Sequence, residues 1–135
     1  MSESRSHMNL VQVVYEYMKK LVPSDKQVLI EVDSADTNRP KEIKGKFIPD
    51  VQFWDNDLFV IGEAKTLNDF ERGHSRDQYD AYVKECTKFQ GTSLLVVAVP
   101  WQLVITAKNY FKRMKCVNDN FKIIILNELG ESFKV

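Results

Sequence analysis

Apolar residues recur along this chain with two different periods, and the switches between them mark out the elements. Leu10, Val14, Met18 and Leu21 stand at three- and four-residue steps with Pro23 behind them, which predicts a first helix over 10–22. Residues 28–32 form a short β-rich run. Residues 33–46 are polar and turn-rich, a loop into the next strand. Residues 47–54 and 58–65 read as the two strands of a hairpin, turned by Asp55-Asn56-Asp57. After a polar connection over 66–73, helical spacing returns over 74–89 through Tyr79, Tyr82, Val83 and Cys86, and Gly91 ends it. Residues 94–99 are an unbroken apolar run closed by Pro100, the pattern of a strand covered on both faces. Residues 101–114 read as a third helix and 122–126 as a last buried strand. The tail from Asn127 is left as an edge strand or a frayed end.

The order α, three strands, α, β, α, β predicts an α/β fold, a mixed central sheet flanked by helices. A chain of 135 residues suits one hydrophobic core, so residues 8–135 are expected to be a single domain. Residues 1–7 read as a disordered segment or tag remnant outside it. With 44% apolar and 28% charged residues the balance is globular. No apolar run approaches the ~18 residues of a membrane span. No leader-like apolar stretch follows the start, so the expected location is cytoplasmic and no membrane partner is expected. Cys86 and Cys116 fall in separate helical stretches without zinc-site spacing and are expected as free thiols. Nineteen basic residues balance nineteen acidic ones, so the composition is neutral on nucleic acid.

The chemistry concentrates in Phe47-Ile48-Pro49-Asp50 and Ile61-Gly62-Glu63-Ala64-Lys65. Side chains alternate faces along a strand, so Glu63 and Lys65 share one face while Ala64 points to the other. Charged groups inside an otherwise apolar strand are costly unless paired or holding a metal. Cross-strand pairing in the hairpin brings Asp50 toward Glu63. Two carboxylates and an ammonium, without His or Cys, suit Mg²⁺ with Mn²⁺ as a substitute. Those are the parts that phosphodiester hydrolysis needs.

Pro49-Asp50, twelve intervening residues and Glu63-Ala64-Lys65 resemble the PD-(D/E)XK motif of the restriction-endonuclease-like nuclease superfamily. Gln78-Tyr79-Asp80-Ala81-Tyr82 resembles the Q-x-x-x-Y element of RecB-like nucleases, and Ser75-Arg76-Asp77-Gln78 the S-x-x-Q element of the VRR-Nuc group. The resemblance implies an αβββαβ core and a Mg²⁺-dependent deoxyribonuclease whose partner is DNA. It implies Asp50 and Glu63 as metal ligands with the Ala64 carbonyl, Lys65 assisting the attacking water, and Gln78 positioning Lys65 or a phosphate. Relatives also use an acid in the first helix. Glu16 is the candidate there, although helical geometry turns it nearly opposite the Leu10/Val14/Met18 face, and Glu31 is a further acid.

Blander readings stand beside these. Asp50, Glu63 and Lys65 also fit a solvated cross-strand charge cluster, and Tyr82, a candidate nucleic-acid contact, also fits a core position. Arg72 and Arg76, four apart, suit a DNA backbone or surface pairing with Asp69, Glu71 or Asp80, and His74 caps a helix or meets phosphate. Lys44 and Lys46, behind Lys41, are a further candidate DNA contact, as are Lys108, Lys112, Arg113 and Lys115. Trp54 and Trp101 read as packing or interface residues. Two alternatives to a general DNA endonuclease remain: a homodimeric resolvase of branched DNA or Holliday junctions, and an inactive nuclease-fold module that binds nucleic acid.

Overall fold

The computed structural model describes residues 5–31, 40–67, 73–114 and 119–135. Its described elements run α1 (Arg5–Leu21), β1 (Leu29–Ile30), β2 (Val51–Trp54), β3 (Leu58–Ala64), α2 (Gly73–Lys88), β4 (Thr92–Ala98), a 3₁₀ turn (Trp101–Leu103), α3 (Val104–Met114), β5 (Phe121–Leu126) and β6 (Ser132–Lys134). The fold is α/β, as its periodicities predict. The strands form one six-stranded sheet in sequential order. The β1–β2–β3 and β5–β6 pairings are antiparallel, while β3–β4 and β4–β5 are parallel.

Strand alternation sorts the apolar residues into two layers. On one face Val51, Phe53, Val60, Ala64, Val96 and Ala98 meet Leu10, Val11, Val14 and Met18 of α1. On the other, Ile61, Leu95, Val97, Ile123 and Ile125 meet α2 through Tyr79, Tyr82 and Cys86, and α3 through Ala107 and Phe111. The parallel strands β4 and β5 are covered on both sides, which is why their sequences are nearly continuous in apolar residues. The Cys86 thiol lies deep in this second layer, and burial pushes its pKa up. Cys116 lies outside the described residues.

Several sequence boundaries shift. The first helix begins at Arg5, so residues 5–7 are helical, and His7 continues the buried stripe of Leu10, Val14 and Met18 by one turn. The strand expected over 47–54 is ordered as β only from Val51. Phe47 instead closes a bridge with Ile43 around Lys44 and Gly45, both at positive φ, and Pro49 has no N–H to give a ladder. The β-rich run at 28–32 contributes only Leu29 and Ile30, and residues 32–39 lie outside the description. The tail does form an edge strand. Trp101 does not pack into the core but stands exposed, whereas Trp54 is partly covered by Lys41, whose ammonium lies 5.0 Å from its ring centre. Among the described residues no helix is long and apolar enough to cross a membrane.

One glycine sets how closely α1 approaches the sheet. A Cβ on Gly62 would collide with Val14 Cγ1 and come within 2.8 Å of Met18 Sδ, so only a bare Cα lets the helix seat over β3. Gly62→Ala is therefore expected to cost about 1–3 kcal/mol by overpacking. Urea unfolding of Gly62→Ala alone and with Val14→Ala checks this: the second change should recover part of the loss.

Candidate active site

Glu63 and Lys65 sit where β3 runs out, and the register puts them on the face covered by α2 and α3. Gly62 pairs with Val51 on the α1 side, so the next residue, Glu63, turns to the opposite layer, as strand alternation predicts. Past β3 the ladder continues for one bond, the Lys65 N–H donating to the Ala98 carbonyl at 2.9 Å. Asp50 lies just before β2, held at its carbonyl by the Glu31 N–H at 2.8 Å. Chain reversal thus brings Asp50 beside Glu63.

The two carboxylates are tied through the backbone. The Asp50 N–H donates to Glu63 Oε2 at 3.2 Å, and the Ala64 N–H donates to Asp50 Oδ2 at 2.9 Å. Because a strand residue's N–H and C=O leave on the same edge, the Ala64 carbonyl also faces the Asp50 side. From α2, Gln78 Nε2 donates to Glu63 Oε1 at 3.2 Å and lies 3.1 Å from the Tyr82 hydroxyl. That hydroxyl donates to Glu63 Oε2 at 3.3 Å. The Lys65 ammonium is 3.6 Å from Glu63 Oε1 and 5.9 Å from the centre of the Tyr79 ring.

Asp50, Glu63, Lys65 and Gln78 are all buried, Glu63 to 4% exposure. Loss of water and the charge of Asp50 push the Glu63 carboxyl up to about 8, against the pull of Lys65, the Asp50 N–H and His7. Burial and the Glu63 charge push the Tyr82 hydroxyl up as well, so it keeps its proton and serves as a donor. Gln78 Oε1, on the amide whose Nε2 meets Glu63, is buried without a hydrogen-bond partner.

The structure gathers Asp50, Glu63, Ala64, Lys65 and Gln78 in one place. Tyr82 joins them from beneath: fully buried, it has no surface to offer a nucleic acid, and its hydroxyl instead holds Glu63. Lys44 and Lys46 are exposed on the 43–47 turn, whose Phe47 ring meets Tyr82 edge-on at 6.5 Å. Arg76 is exposed on α2 and hydrogen-bonds the Tyr110 hydroxyl. Arg72, Asp69 and Glu71 lie outside the described residues, as do the side chains of His74 and Ser75. Glu16 is exposed and engaged with Gln12 at 2.8 Å, away from the cluster.

Sequence reasoning misses His7. Its Nε2 lies 3.4 Å from Asp50 Oδ2, and both side chains are largely buried. The signal is present in the spacing, since His7 stands three and seven residues before Leu10 and Val14. Setting aside residues 1–7 as a tag hides it.

No family model matches the chain, and no curated protein or solved structure matches it either. The donor set is therefore the test of a cation's fit. Among the described residues no three His, Cys, Asp or Glu side chains are gathered as a ligand group. Two close carboxylates, a backbone carbonyl on the same edge and an unpartnered buried amide oxygen fit a hard cation that keeps several waters, such as Mg²⁺. They do not fit a closed zinc site.

Because the folded state binds the Glu63 proton more tightly than the unfolded chain, stability of the metal-free protein should fall as pH rises from about 4.5 through about 8. Glu63→Gln should flatten that fall and exceed the wild type in stability above the window. Denaturant titrations in EDTA across the range check both.

Proposed function

We propose that this chain is a metal-dependent nuclease that hydrolyses DNA phosphodiester bonds at Asp50, Glu63 and Lys65. The observation that carries this reading is the gathering of two buried carboxylates, Asp50 and Glu63, and the buried Lys65 ammonium where β2 begins and β3 ends. Buried charges are costly, and this cluster sits at a strand end where side-chain packing alone did not require them. The element order αβββαβ at the start of the fold and the PD-(D/E)XK spacing support the same reading.

Asp50 and Glu63 would hold the cation, Mg²⁺ or Mn²⁺, together with the Ala64 carbonyl. A cation held there supplies Lewis acidity toward a phosphate oxygen and acidifies water. Lys65 carries the positive charge that orients the attacking water and offsets charge gathering on the phosphate. Gln78 and Tyr82 donate to Glu63 and keep its carboxylate in one rotamer, while Gln78 Oε1 offers an acceptor to a water. His7 steadies Asp50 from the α1 side.

One feature favours a second reading, a nuclease-shaped module that binds nucleic acid without cutting it. Each Glu63 oxygen already faces two protein groups, Gln78 and Lys65 at Oε1, Asp50 N and Tyr82 at Oε2. Calorimetry with Mn²⁺ separates the two, since a retired site takes no cation.

The deciding experiment is cleavage of plasmid and branched DNA with Mg²⁺ or Mn²⁺. Asp50→Ala and Lys65→Ala should each abolish cutting, as should EDTA. Wild-type protein that binds Mn²⁺ yet cuts nothing would sink the catalytic reading. His7→Ala should weaken Mn²⁺ binding by about 10–100-fold, the usual cost of removing a hydrogen-bond partner from a ligating carboxylate. His7→Gln, which keeps an N–H in reach, should restore most of it.

A further inference from the structure

We propose that the outer face of α3, with the 3₁₀ turn before it and Lys134 of β6, is a docking surface for a single-stranded segment of nucleic acid. The strand it holds is the flank of the substrate cut at Lys65, so the inference rests on the nuclease reading above.

Trp101 and Ile105 are 65% and 73% exposed, one helical turn apart, and Lys108, Asn109 and Lys112 continue along the same face. Aromatic and aliphatic side chains left in water at one end, with ammonium groups at the other, present a platform for a base and contacts for the phosphates that follow it. Beside the lysines lies a cavity of about 200 Å³ lined by Ile105, Lys108, Asn109, Lys112, Lys134 and Val135. No Asp or Glu side chain is among these described lining residues. In a chain whose formal charge is zero, three ammoniums around one cavity are a matter of placement, not of composition.

Sheet topology puts the start of this face at the end of the sheet that carries the catalytic cluster. Strands β3 and β4 are parallel, so Lys65 and Trp101 both follow strands that finish at that end, and α3 runs from there back toward the start of β5. At the start of the stripe the Glu128 carboxylate accepts the Trp101 N–H at 3.1 and 3.3 Å and ties the β5–β6 turn to that end of α3. From Trp101 to Lys112 the helix rises about 16 Å, long enough for several nucleotides of an unpaired strand to lie along it.

Charge also decides against the main rival occupant. A second copy bound through a two-fold axis would bring the Lys108, Lys112 and Lys134 ammoniums of both copies into one interface, with no Asp or Glu among the described cavity-lining residues to pair with them. A phosphate backbone complements it. A base stacked inside a duplex leaves no open ring face for Trp101, which favours unpaired strands.

The test uses the full chain in EDTA, where cleavage is silent, with a short thymidine oligonucleotide as probe. The chain has two tryptophans, so Trp54→Phe leaves Trp101 as the sole tryptophan, read by excitation beyond the tyrosine band. The oligonucleotide should quench it. Trp101→Ala should weaken binding about 5- to 150-fold. Lys108→Gln with Lys112→Gln should lower the slope of log affinity against log salt by about 1.4, at ~0.7 per phosphate contact on a single strand. All these positions are exposed or partly so, and unchanged circular dichroism will verify the fold. The proposal is overturned by any one of three results: unaltered affinity and slope in the lysine variant, a duplex of equal length binding as tightly with no quench, or self-association that the same substitutions abolish. Binding that behaves as expected in a protein that never cuts DNA would leave this surface standing and remove the nuclease reading. Plasmid cutting with oligonucleotide binding indifferent to Trp101, Lys108 and Lys112 would do the reverse.

Discussion

A carboxylate drawn out of water at the end of a sheet must be met by donors, and Glu63 is met from three directions. The backbone before β2, the side chains of Gln78 and Tyr82 on α2, and Lys65 beyond β3 all converge on its two oxygens. Each donor fixes a neighbouring element: the Asp50 N–H pins the start of β2, and the α2 pair sets the depth of that helix. The carboxylate is therefore a node of the fold as well as the centre of the candidate chemistry. Its raised proton affinity is the residue of that compromise, since the donors offset only part of the lost hydration and of the repulsion from Asp50.

The same strand serves two layers with opposite demands. On its α1 side β3 carries Gly62 and Ala64, so small that Val14 and Met18 settle directly onto the backbone. On its α2 side it carries Ile61, then Glu63, with Lys65 just beyond, passing from core to polar cluster within one stride of the pleat. The close approach of α1 has a second effect. It delivers His7, one turn ahead of the packed stripe, to the edge of the sheet where Asp50 turns into β2. Packing at Gly62 and polar contact at Asp50 are thus consequences of one helix position.

Much of this architecture is legible in the amino-acid pattern. Period-two and helical spacing locate the helices and the central strands, and the six residues 94–99 announce a strand covered on both faces. Alternation alone places Glu63 and Lys65 on one side and Ala64 on the other. Boundaries are poorer where local chemistry competes with pattern. Phe47 is apolar and in phase with the strand, yet it closes the small turn at Lys44 and Gly45, and Pro49 interrupts the ladder. Trp101 reads as a packing or interface residue, and its position after Pro100, on the outside of a 3₁₀ turn, leaves it exposed rather than packed in the core.

By itself the sequence determined which residues alternate, which stripe each helix buries and which charged groups share a strand face, because those follow from the fixed periods of backbone geometry. Only the tertiary structure decided that Tyr82 reaches under Glu63 rather than out to a ligand, that His7 meets Asp50, and that Trp101 stands at the end of the sheet where Lys65 follows β3. These are relations between elements far apart in the chain. They depend on strand order, on helix depth and on how closely one backbone passes another, and no local period encodes those distances.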